Sequence, residues 1–86
     1  MSDRTLAVLD AVAILTAQRG YPPSNREVAA MMRLPVMTVH DHLSALREEG
    51  LLHWADGGKR TAVLTPAGRD HLSRVVWFGG RDARYQ

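Results

Sequence analysis

Residues 24–50 read SNREVAAMMRLPVMTVHDHLSALREEG, and this stretch decides the fold. Ser24-Asn25-Arg26-Glu27 has the form of a capping box, in which the serine hydroxyl accepts from a backbone N–H and the glutamate carboxylate reaches back to another. A short helix is therefore expected from there to about Met32, with Val28, Ala29 and Met32 inward. Arg33-Leu34-Pro35 interrupts it. Proline tolerates the start of a helix, where its missing N–H would find no partner anyway, so a third helix is expected over about 36–49. Its apolar positions Val39, Leu43 and Leu46 are spaced by four and three, one face of a helix, and Gly50 supplies the stop.

On the N-terminal side, Leu6, Leu9, Val12, Ala13 and Thr16 recur at helical spacing, with Val8 and Leu15 on a flank. A first helix over 5–19 follows, ended by Gly20. Tyr21-Pro22-Pro23 is then an extended connector, because prolines cannot occupy a helix interior. On the C-terminal side the period changes. Residues 51–55 (LLHWA) and 61–65 (TAVLT) are two short apolar runs around Asp56-Gly57-Gly58-Lys59-Arg60, a hairpin signal, since glycine and aspartate tolerate positive φ. Thr65 then caps a fourth helix with Pro66 in its first position, expected to end near Val75. Residues 77–86 show no period and read as a tail. The fold class is α+β, mainly α: a winged helix-turn-helix of three helices, a two-stranded β-hairpin wing and a C-terminal helix. The domain is expected over 1–76.

Composition narrows the function. Eighty-six residues make one small domain. Without cysteine there is no disulfide frame, thiolate metal cluster or cysteine nucleophile, which suits the cytoplasm, the expected location. Asp10 breaks the apolar stretch at the start, so neither a membrane span nor a signal peptide is expected. The net charge is +2, unevenly placed. Residues 21–50 carry Arg26, Arg33 and Arg47 against Glu27, Asp41, Glu48 and Glu49, whereas six of the eleven basic residues fall after position 50. No nucleophile elbow, phosphate-binding glycine loop or carboxylate pair in a cleft is apparent, so no enzyme activity and no cofactor are expected. His40 and His42 lie about 200° apart on a helix and cannot share an ion there, so no metal site is expected.

A short helix, a three-residue turn and a longer helix form the unit whose second helix enters a DNA major groove. The outward face of that helix shows Val36, Met37, Thr38, His40, Asp41 and Ser44. Thr38 suits a phosphate or a thymine methyl, Val36 and Met37 suit thymine methyls, Asp41 suits a cytosine amino group, and His40 suits guanine or phosphate. Ser24 and Arg26, where the second helix begins, complete the candidate contacts on this side. Double-stranded DNA is the expected partner. The competing reading is a winged-helix interaction module, which the −1 balance over residues 21–50 favours.

Residues 22–54, from Pro-Pro-Ser-Asn-Arg-Glu-Val-Ala through His-Leu and Leu-Arg-Glu-Glu-Gly-Leu, resemble the DNA-binding domain of LexA-type repressors. Thr65-Pro66-Ala67-Gly68-Arg69 instead resembles the end of the wing in MarR-like regulators, with their Leu-Thr-x-x-Gly pattern. Together the resemblances span roughly residues 4–74. They imply a sequence-specific transcription regulator, most naturally a repressor. Thr38, His40, Asp41 and Ser44 would face the groove, and Lys59 and Arg60 would lie at the wing tip on phosphates. The sequence departs from the pattern at the turn, where Arg33 and Pro35 replace the usual glycine and Ser/Thr cap. No self-cleaving protease domain is expected, and with it no Ser/Lys cleavage chemistry and no built-in sensor. Trp77, Phe78 and Tyr85 hold three of the five aromatics, which is more apolar surface than a polar tail needs. They could dock back on the first helix and cover the small core, pair two subunits, or enter the minor groove with the arginines; of these, a homodimer contact is the expected use.

Overall fold

The computed structural model describes residues 3–54 and 62–79, excepting the side chains of 74–79. Three helices come first: α1 (Asp3–Arg19), α2 (Asn25–Met32) and α3 (Val36–Glu48). Strands β1 (Leu52–Trp54) and β2 (Ala62–Leu64) follow, then α4 (Pro66–Gly79). This is the winged helix-turn-helix order. The strands pair antiparallel, Leu52 opposite Leu64 and Trp54 opposite Ala62. A two-stranded hairpin is marginal alone, and this one leans on its surroundings. Leu52, Ala62 and Leu64 are buried in the common core, and the Ala62 N–H donates to the Pro23 carbonyl at 3.3 Å, fastening the wing base to the connector ahead of α2.

The core joins Val8, Leu9, Val12 and Leu15 of α1 to Val28 of α2 and to Val39, Leu43 and Leu46 of α3. The inward positions expected for α3 are all fully buried. For α1 the stripe is rotated from the expected one. Val8 and Leu15 are buried, whereas Leu6, Ala13 and Thr16 are only half-buried. The reason is that α1 contacts all three other helices as well as β2, which widens its buried face beyond a single seam.

Two more boundaries differ. Of the expected runs 51–55 and 61–65, Leu51 and Thr65 stand outside the strands, while residues 55 and 61 lie outside the described residues. Helix α4 runs to Gly79 rather than stopping near Val75, so Trp77 and Phe78 are helical in backbone. Nothing between Arg74 and Phe78 breaks a helix.

The start of α4 is a tight junction. The Thr65 hydroxyl accepts from the Gly68 N–H at 3.0 Å and donates to the Gly50 carbonyl at 2.6 Å. The Thr65 N–H also donates to the Leu51 carbonyl, at 3.1 Å. A Cβ added at Gly68 would sit 2.1 Å from that same Leu51 oxygen. This is the physical content of the Thr-x-x-Gly spacing: threonine caps the helix, and glycine lets it lie against the backbone that follows α3.

Candidate nucleic-acid interface

The capping box is present as the sequence requires. The Glu27 N–H donates to the Ser24 hydroxyl at 3.2 Å, and the Ser24 N–H donates to Glu27 Oε1 at 2.8 Å. The second carboxylate oxygen pairs with Arg19 at the end of α1. Glu27 therefore ties the end of one helix to the start of the next.

Arg33 closes α2 with φ 57° and ψ 45°, and its N–H donates back to Ala29. This is the left-handed region, which costs a residue bearing Cβ roughly 1–2 kcal/mol. The arginine therefore adopts the conformation that the usual glycine would take. Leu34 turns partly inward against the core. Pro35, with φ −60° and ψ 146°, is the extended N-cap residue of α3, and its carbonyl accepts from the Val39 N–H at 3.1 Å. The proline thus stands one position before the first helical residue, and no side chain caps α3.

With 100° per residue, Met37, His40, Asp41 and Ser44 fall on one stripe of α3, opposite buried Val39, Leu43 and Leu46. Met37 is 71% exposed and Val36, on one flank, 38%. The Asp41 side chain is 81% exposed, and its Oδ1 lies 3.9 Å from His40 Nδ1. Thr38 lies on the other flank, half-buried. The face is thus built of two apolar side chains, an acid, an imidazole and two hydroxyl residues.

The remaining candidates divide. Arg26 is exposed beside this unit on α2, whereas Ser24 is half-buried with its hydroxyl engaged in the cap. Lys59, Arg60 and Tyr85 lie outside the described residues, as do the side chains of Trp77 and Phe78.

Three features had not been anticipated. Arg33 is exposed at the turn itself, and its place at the expected glycine was the available signal. The Arg47 guanidinium lies over the Trp54 ring, 5.8 Å from its centre, joining the last turn of α3 to β1. His42, turned away from the stripe, pairs its Nδ1 with the Thr5 hydroxyl at 2.9 Å, linking α3 to the first turn of α1. No local pattern in the sequence signals either pair. Among the described residues no group of three or more His, Cys, Asp or Glu could hold a metal ion, and no helix is long and apolar enough to cross a membrane.

Comparison with known proteins bears on this geometry. Residues 1–61 match the family described as the LexA DNA binding domain. The LexA repressor of Limosilactobacillus reuteri (strain DSM 20016) is 35% identical over 71 residues, covering 81% of this chain and 34% of that protein. The LexA repressor of Anaeromyxobacter sp. (strain K) is 34% identical over 84 residues, covering 96% of this chain and 35% of its own length. That of Leptospira interrogans (strain 56601) is 30% identical over 64 residues, covering 74% and 32%. The chain spans about a third of the length of the relatives it matches. The matched region includes all of α1, the α2–turn–α3 unit and β1, and on that ground the chain belongs to the LexA DNA-binding domain family.

Proposed function

We propose that this protein is a sequence-specific double-stranded DNA-binding transcription regulator that acts as a repressor. The supporting observation is the α2–turn–α3 unit, in which Val28, Val39, Leu43 and Leu46 are fully buried while Met37 and Asp41 stand exposed on the outer stripe of α3, in a chain of this family. In this reading α3 enters the major groove. Met37, His40, Asp41 and Ser44 meet base edges, Val36 and Thr38 flank them, and the α2 start with Ser24 and Arg26 approaches the backbone. Lys59 and Arg60 on the wing hold flanking phosphates. Two copies, joined through Trp77, Phe78 and Tyr85, occupy a two-fold operator.

The experiment is selection of bound sites from random duplex, followed by titration of the selected site in 50–200 mM salt. About four to six phosphate contacts per subunit give a log–log slope near −0.9 per contact. A slope near zero would refute the reading, and the symmetry of the selected site reports the number of copies bound. The acidic balance over residues 21–50 is the one observation favouring an interaction module instead. That alternative requires no shift of random duplex at low salt.

A further inference from the structure

The exposed face of α3 is unusual in what it lacks. Between Val36 and Leu46 there is no Arg, Lys, Asn or Gln. Those four residues supply the paired hydrogen bonds that read guanine and adenine edges in the major groove. The first basic residue of α3 is Arg47, in its last turn, and its guanidinium lies over Trp54. His40 offers guanine a single donor at best. Asp41 can accept from a cytosine amino group and repels phosphate.

What the first turn does present is apolar surface in water. Met37 is 71% exposed and Val36 38%, two of the four large hydrophobic side chains exposed among the described residues. Both lie in the half of a recognition helix that contacts base edges in this motif. The major groove offers one apolar group to such side chains, the C5-methyl of thymine. Methionine is suited to it, being unbranched, polarisable and able to fit an irregular surface.

Resting on the DNA-reading role above, we propose that α3 discriminates its site chiefly through thymine C5-methyl groups, with Met37 the specificity-determining residue and Val36 its flank. Guanine edges are not read in pairs from this helix. Each half-site therefore contains at least one thymine whose methyl group, rather than its hydrogen-bonding edge, sets the affinity.

The test uses the full chain and a duplex selected from random sequence. Each thymine is replaced singly by deoxyuridine, which removes the methyl and leaves every hydrogen-bonding group in place. The affinity falls about fourfold at one or two positions per half-site, the effect of one buried methyl. Met37→Ala binds the thymine duplex about as weakly as the parent binds the deoxyuridine one, and no longer distinguishes the two. Met37→Leu, which keeps apolar bulk at this exposed position, retains the preference. Equal binding of parent protein to every deoxyuridine duplex would overturn the inference while leaving DNA reading intact, and so would a Met37→Ala variant that keeps the full preference. Failure to bind any duplex at low salt would overturn the function itself, and this inference with it.

Discussion

Replacing Gly68 by alanine should destabilise this protein, although alanine is the better helix former. In an exposed helix the exchange gains about 1 kcal/mol. Here the new Cβ would stand 2.1 Å from the Leu51 carbonyl oxygen, more than 1 Å inside ordinary contact. The obstacle is backbone, so no rotamer change relieves it. Either α4 moves outward or the segment after α3 gives way. Forced overpacking costs about 1–3 kcal/mol. The movement also stretches the Thr65 N–H to Leu51 bond at 3.1 Å and the Thr65 hydroxyl to Gly50 bond at 2.6 Å, each worth about 1 kcal/mol. With the bonds stretched rather than broken, about half of each is lost, and set against the helix gain of about 1 kcal/mol the net loss is about 2 kcal/mol. For a domain of this size that lowers the thermal midpoint by about 10 °C, and the urea midpoint by about 2 M at a slope near 1 kcal/mol per M. Thermal and urea unfolding followed by circular dichroism measure both. Ala67→Gly, at the exposed neighbouring position, serves as a reference and should cost about 1 kcal/mol through propensity alone. A Gly68→Ala variant as stable as the parent, or more so, would refute the reasoning.

The remaining predictions concern the turn, a helix tie and the wing. Arg33→Gly should raise stability by about 1 kcal/mol, because glycine adopts φ 57° without the Cβ penalty; a lower urea midpoint would show that the arginine side chain contributes more than its conformation costs. Thr5→Val preserves shape but removes the hydroxyl paired with His42, and should lower stability by about 1 kcal/mol in the same assay. Lys59→Ala with Arg60→Ala should weaken binding to all duplexes alike and reduce the salt slope by about 2. Asp41→Ala should instead change the order of preferred sites, and the two results exchanged would reverse the roles assigned to wing and helix.

Much of the fold was legible because its punctuation is chemically specific. Ser24 with Glu27, Gly50, and Thr65 with Pro66 each mark a helix end through a bond or dihedral that few other residues supply, and the 39–43–46 spacing has one solution on one face. The buried face of α1 was less legible. Its apolar positions fit two overlapping registers, and the choice lies with the four elements that surround it. The end of α4 was set by the absence of a breaker, a weaker signal than the presence of one. In the site, the stripe carrying Met37, His40, Asp41 and Ser44 follows from helical spacing once the buried face is known. The pairings of Arg47 with Trp54 and of Thr5 with His42 depend on contacts across the fold, to which no local pattern points.

In the proposed DNA-reading role, the attachments at the base of the wing bear on the energetics of recognition. Arg47 lies over Trp54, Thr65 bonds to Gly50 and Leu51, and Ala62 bonds to Pro23. The hairpin strands are thereby fastened to both ends of the α2–turn–α3 unit, before α2 and after α3. Strand base and α3 are thereby held at one offset, and the entropy of aligning them is spent in folding. Docking would need little further ordering of this frame, so its heat-capacity change should stay small, well short of that of a segment that folds on its target. The fixed offset also acts as a ruler. In the proposed reading, the distance along DNA between the bases met by α3 and the backbone beneath the wing base would be set by the protein and would not adjust to the sequence it meets.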